Sequence, residues 1–197
     1  RAIVCHELTG PYHLRLEELT PAHPGPQQLR IRVRACGVNF ADSLITRGKY
    51  QKQPAPPFVP GFEIAGEVLE VGSGVAGFAV GERVIAITPC GGYAEQVVAD
   101  VTRCVHMPEA MSWAHGAAFP VVFGTSHVAL AHRARLRAGE VLVVHGAAGG
   151  VGLTAVTIGR QMGATVIATA SSAQKLALAR THGAHHLIDT CREDLRA

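Results

Sequence analysis

The sequence predicts an α/β protein, in which a mostly β first domain is followed by the first half of a doubly wound parallel sheet. Three observations carry that reading. Up to about residue 122, short β-type runs alternate with clusters of glycine and proline. From Val141 onward, apolar β-branched runs alternate with helical patterns in the order of a parallel βαβαβ unit. Between the first of these runs and its helix lies a glycine-rich turn, Gly146-Ala-Ala-Gly149-Gly-Val-Gly152.

In the first part, Leu29 to Ala35, Glu67 to Val71, Arg83 to Ile87 and Tyr93 to Ala99 read as strands. Gln28-Leu-Arg-Ile-Arg-Val-Arg34 alternates apolar with basic residues, the period of two expected of a strand with one wet face. Prolines 54, 56, 57 and 60 punctuate a loop, and Gly72, Gly74 and Gly77 mark further turns. After Pro108 the pattern becomes helical, over Trp113 to Ala118 and Thr125 to Ala134, and Gly139 closes the segment. Val141 to Val144 is wholly apolar, as in a parallel strand covered on both faces. A helix over Leu153 to Met162 ends at Gly163, and a strand runs from Thr165 to Ala170. A second helix, Ala173 to His182, ends at Gly183, and His186 to Ile188 forms a third strand. Because a doubly wound nucleotide domain uses two such halves, the chain reads as a fragment or a truncated isoform, with domains 1–122 and 123–197.

Composition excludes several classes. With 197 residues, 48% hydrophobic and a formal charge of +3, the chain can bury a core but lacks the basic footprint of a nucleic-acid binder. The uncharged stretch Val141 to Gly159 holds five glycines and His145, so strand, turn and helix explain it better than a membrane span. Five cysteines form no CxxC pair, so neither a disulfide framework nor a zinc knuckle is expected, and a soluble protein of a reducing compartment is read: mitochondrial matrix or cytoplasm. The histidines show no spacing that converges with carboxylates as metal ligands, so no metal site is assigned.

The glycine turn carries the chemistry. Gly149 lets a backbone approach a pyrophosphate, Gly152 permits close helix-to-strand packing, and the N–H groups of Gly150 and Val151 open a helix whose N-terminus favours negative charge, with Ala148 beside them. A dinucleotide site selective for NAD carries an acid about 20 residues past the turn to bind the ribose 2′-hydroxyl. No acid occurs between Val141 and Ile188; Thr169-Ala-Ser171-Ser172 and Lys175 stand there instead. Hydroxyls plus a cation suit a 2′-phosphate, so the expected cofactor is NADPH, with Ser171 and Lys175 at the phosphate. The bland alternative for Lys175 is a solvated helix residue.

Several ordered motifs resemble one family: Cys36-Gly-Val-Asn-Phe-Ala-Asp42, Arg47-Gly-Lys-Tyr50, Val59-Pro-Gly-Phe-Glu-Ile-Ala-Gly-Glu-Val68, Gly81-Glu-Arg-Val84 and Val143 to Gly152. The chain resembles the quinone oxidoreductase (ζ-crystallin-like) branch of the medium-chain dehydrogenase/reductase superfamily. That resemblance implies a GroES-like catalytic domain, a Rossmann domain, and hydride transfer from NADPH to a quinone or activated alkene in a cleft between them, by a protein that is a homodimer when full length. The zinc enzymes of the superfamily carry Cys where this chain has Asn39 and His where it has Phe62, and neither replacement suits zinc, so the reaction is expected to proceed without metal. By the same resemblance Asn39, Asp42 and Tyr50 line the nicotinamide and substrate, and Thr125 meets the nicotinamide carboxamide. An amide and a phenol can donate hydrogen bonds to a carbonyl oxygen gaining charge, with Asp42 orienting them. Alternatively, Asn39 and Asp42 cap a local turn; Thr125 is also read as the N-cap of a helix, a role compatible with the carboxamide contact. The chain departs from the family at Val122, often Asn, and at Thr190, often Tyr. Two other readings stand beside this one: a catalytically inactive NADPH-binding protein, and an enoyl-thioester reductase of the same superfamily.

Overall fold

The structure, a computed structural model, describes residues Arg1–Glu193 and divides into two units, residues 1–121 and 122–197. Residues 194–197, which end the second domain read from the sequence, lie outside the described residues. In the first unit β1 (Ala2–Val4) and β2 (Arg15–Glu17) form an antiparallel ribbon. The main sheet comprises β3 (Gln28–Cys36), β4 (Glu63–Val71), β5 (Arg83–Ile87), β6 (Gln96–Asp100) and β7 (Cys104–His106), in the spatial order β6-β3-β4-β5-β7, all antiparallel. The alternation in β3 decides its faces. Leu29 and Ile31 are fully buried with Ile64, Val68 and Val84, while Arg30 and Arg34 reach across to Glu70 and Glu67 of β4 on the other face. Burying such a cluster is the main term that holds the unit together.

Two short helices complete this unit. The helix α1 (Phe40–Ile45) follows β3 directly, and α2 (Trp113–Ala117) is capped by Ser112, whose Oγ accepts the His115 N–H at 3.2 Å. Ala117 packs with Ala65, Ile85 and Met107 in a second, smaller core.

The boundary between the units falls in the first turn of α3 (Pro120–His127), which continues as a π-helical stretch over Val128–Arg133. The helix therefore begins five residues before Thr125. Pro120, whose ring presets a helical φ, opens it, so Thr125 is an interior residue and the N-cap assigned to it from sequence is corrected. In the second unit β8 (Val141–Val144), β9 (Thr165–Ala170) and β10 (His186–Asp189) form a parallel sheet in the order β10-β9-β8, joined by α4 (Gly150–Gln161) and α5 (Ala173–Thr181). Strands added in one direction through right-handed crossovers place both helices on the same face. Val144, Val156, Val166, Ala168 and Ala179 fill that interface. β8 is consequently covered on one face only: Val141 is 61% exposed and Val143 48%, contrary to the expectation of a strand buried on both sides. Both helices end at glycines with positive φ, Gly163 (83°) and Gly183 (107°), a conformation that other residues adopt only with strain. No helix of the described residues is long and apolar enough to cross a membrane.

Candidate active site and nucleotide-binding turn

The nucleotide-binding candidates sit where β8 passes into α4. The Ala147 N–H donates to the Thr169 carbonyl at 3.0 Å, fastening the turn to the end of β9. Its glycines separate by role. A Cβ at Gly152 would lie 2.8 Å from Ala147 Cα and 2.9 Å from Ala147 C, so this glycine is demanded by the turn folding onto the helix. At Gly149 an added Cβ would meet only the Gly146 carbonyl, at 3.5 Å, an ordinary contact. The absence of a side chain there is thus not needed for packing, and it leaves open space above the first turn of α4. Gly149 is the N-cap of that helix and offers no side-chain cap to it. The N–H groups of Gly150, Val151 and Gly152 therefore open a twelve-residue helix whose N-cap supplies no side-chain acceptor. A pyrophosphate supplies the acceptor oxygens and the negative charge that such a terminus favours.

The residues assigned to the ribose end come together at the end of β9. Lys175 Nζ donates to Ser171 Oγ at 3.1 Å, both side chains being exposed. Ser172 does different work: its Oγ accepts the Lys175 N–H at 3.4 Å and caps α5. Beside them a cavity of about 460 Å³ is lined by Ala148, Gln174, Lys175, Ala177, Leu178 and Thr181. Its lining thus joins Ala148 of the glycine turn with Lys175 and the apolar side chains of Ala177 and Leu178. Thr190 is tied to the end of β9, donating from N and Oγ1 to the Ala170 carbonyl at 3.0 and 3.3 Å. Thr125, in α3, is exposed.

The second group of candidates lies at the start of α1. The Asn39 N–H donates to Asp42 Oδ2 at 2.8 Å, the return half of a capping box, so the local capping role is real. Asp42 is more than a cap, because its Oδ1 also accepts the Gly61 N–H at 3.2 Å. The Asn39 side chain faces the Asp42 N–H in the same capping box and also has a partner outside it: Nδ2 donates to Glu63 Oε1 at 2.8 Å. Glu63 Oε2 accepts the Val121 N–H at 2.7 Å. Glu63 and Asp42 are 2% and 5% exposed, and among the described residues neither forms an ion pair. Burial raises the proton affinity of both carboxyls, partly offset by the hydrogen bonds they accept, and the charge of Asp42 raises that of Glu63 further. Burial likewise pushes the Cys36 thiol up to about 12, so it stays protonated and is no nucleophile at neutral pH. Tyr50 is half-buried, its ring 5.5 Å from that of Phe62. Among the described residues no group of three or more His, Cys, Asp or Glu side chains is placed to hold a metal ion.

Glu63 was not assigned a role from sequence. The signal was an acid set directly before the small apolar stretch Ile64-Ala65-Gly66, but its partners Asn39 and Val121 are 24 and 58 residues away along the chain.

The chain matches two family models, the alcohol dehydrogenase GroES-like domain over residues 25–109 and the zinc-binding dehydrogenase over residues 150–197. It is 40% identical over 197 residues to quinone oxidoreductase-like protein 2 of Rattus norvegicus, all of this chain and 56% of that protein. Among solved structures it is similar to Escherichia coli quinone oxidoreductase complexed with NADPH, with a TM-score of 0.93 and 34% identity over 98% of this chain and 60% of that one. The quinone oxidoreductase of Thermus thermophilus, solved alone and with NADPH, matches with a TM-score of 0.86 and 38% identity over 96% of this chain and 60% of that one. The chain thus spans a little over half the length of these relatives. The two matches lie in the first and second parts of the chain, and the likeness to quinone oxidoreductases runs its whole length.

Proposed function

We propose that the protein is an NADPH-dependent oxidoreductase that reduces a quinone or activated alkene without a metal. The observation that carries the reading is the open face of Gly149 above the uncapped N-terminus of α4, joined to the Lys175–Ser171 pair across the adjoining cavity. Gly149 to Gly152 bind the pyrophosphate, Ala148 borders it, and Ser171 and Lys175 take the 2′-phosphate. Thr125 binds the nicotinamide carboxamide. When bound, NADPH supplies the hydride. Asn39 and Tyr50 hold the acceptor carbonyl by hydrogen bonds that strengthen as its oxygen gains charge, the task a metal performs in the zinc enzymes. Asp42 fixes the start of α1, and so the backbone of Asn39, through two hydrogen bonds. The relatives whose structures were solved with NADPH support the choice of cofactor.

The test is the loss of reduced-nicotinamide absorbance when the whole protein is mixed with NADPH and a small para-quinone, or with an enone. Turnover dependent on acceptor supports the reading. NADPH binding without turnover on either acceptor favours an inactive binding protein, and turnover only on enoyl thioesters favours the thioester reductase.

A further inference from the structure

We propose that Glu63 is a positioning residue that sets which way the Asn39 amide faces. The inference rests on the reading above, in which Asn39 touches the acceptor, and assigns the device that orients it. An ionised carboxylate only accepts hydrogen bonds, so the group that Asn39 turns toward Glu63 Oε1 must be Nδ2. Oδ1 and the second N–H of the amide are thereby directed away from Glu63. The two ends of an amide are nearly isosteric, so the partners they meet decide which is which: Glu63 Oε1 at Nδ2 and, in the capping box, the Asp42 N–H at the oxygen.

Glu63 is itself held from three sides. Its Oε2 accepts the Val121 N–H at 2.7 Å, so the carboxylate cannot turn about its last bond without losing that partner. Its backbone carbonyl accepts the Gly37 N–H at 3.1 Å. Gly37 also makes the room the side chain occupies: a Cβ there would lie 2.6 Å from Glu63 Cγ and 2.7 Å from the Ala117 carbonyl oxygen. A side chain that is 2% exposed, has no cation partner among the described residues and spends both oxygens on fixed donors is a poor contributor to stability, since a buried charge is costly to desolvate. Its arrangement makes sense as a frame for Asn39. Asp42 holds the same residue by its backbone N–H, so Asn39 is clamped at main chain and side chain by two buried carboxylates.

Glu63→Gln keeps the shape and can still accept from Val121, but it presents an NH2 to Asn39 and invites the amide to turn over. In the whole protein this variant should lose about tenfold in kcat, ~1.4 kcal/mol, with NADPH affinity within about twofold of the parent. In an Asn39→Ala background the same substitution should have almost no further effect, because there is no amide left to orient. Full kcat in Glu63→Gln while Asn39→Ala is impaired would overturn the inference and leave the Asn39 reading standing. Unimpaired Asn39→Ala would overturn that reading, and the inference with it. Additive losses in the two backgrounds would mean a structural role only. Should Glu63→Gln fail to fold, the parent decides by NMR: the Asn39 side-chain NH2 signals should shift as Glu63 titrates. Asp42, Cys36 and Tyr93 are the other titrating groups that face Glu63, and Asp42→Asn separates its share. Asn39 NH2 signals that do not move across that titration would refute the proposal.

Discussion

Two glycines three residues apart in the same turn should respond oppositely to the same added methyl group. In Gly152→Ala the new Cβ would stand 2.8 and 2.9 Å from backbone atoms of Ala147, closer than real Cβ atoms come, and Ala147 is fully buried and tied to Thr169. The turn or the helix must shift, so we expect a loss of ~2–3 kcal/mol, in the range of overpacked cores. In Gly149→Ala the Cβ meets one atom, at 3.5 Å, and the backbone φ of −77° suits any residue. Alanine gains stability by restricting the unfolded chain, ~0.4–1 kcal/mol, and is a poorer N-cap than glycine by a comparable amount, roughly 0.5 kcal/mol. The net change should lie within about 1 kcal/mol of zero, the size of either term. The methyl group occupies the space through which a pyrophosphate reaches the helix N-terminus, so NADPH affinity should fall at least ~10-fold, the equivalent of ~1.4 kcal/mol. Thermal unfolding by circular dichroism and NADPH fluorescence titration measure the two quantities on each variant. A Gly149→Ala protein that binds NADPH as the parent does would refute the assignment of this turn to the pyrophosphate. Gly152→Ala with unchanged stability would refute the packing argument.

Other expectations follow from the same geometry. Lys175→Ala should reduce the preference for NADPH over NADH by about fivefold to tenfold, ~1–1.4 kcal/mol for one exposed charged contact, measured as the ratio of two dissociation constants; an unchanged ratio would refute the phosphate contact. Tyr50→Phe should keep the packing against Phe62, and hence the melting temperature, while kcat falls; equal kcat would remove the hydroxyl from the mechanism. Glu63 titrates above its ordinary value, so the folded state binds its proton more tightly than the unfolded chain does, and stability drains away as pH rises from the usual carboxylate range through the raised value. Urea unfolding should therefore show Glu63→Gln gaining on the parent as pH increases over that window, and a gain toward low pH would contradict the account. Ile31→Ala, at a fully buried position of β3, should cost ~2–5 kcal/mol in the same assay.

Local chemistry made the second unit readable. β-branched runs and the closing glycines 163 and 183 each act within a few residues, so β9, α5 and β10 fall close to where the sequence places them. β8 was located but its environment was not, because exposure of Val141 and Val143 depends on what lies beside the strand, which the residues themselves do not encode. In the first unit β4 begins at Glu63, four residues before the reading from Glu67, since a buried acid and Gly66 mask the strand pattern and are reconciled only by distant partners. The six-residue α1 escaped notice for lack of an apolar period, with Phe40 78% exposed. Asn39 and Asp42 were visible as a motif. Their link to Glu63 was not, because β4 must first fold against β3 to bring it there.

The central claim is that reduced nicotinamide passes hydride to an acceptor on this protein. The most direct measurement uses NADPH deuterated at the transferable position of the ring, the whole protein and an activated alkene, with the product examined by mass spectrometry. One deuterium in a carbon–hydrogen position of the product is the predicted result. A reduced product without deuterium from either face of the labelled ring, or no reduced product from an alkene or a quinone, would contradict it.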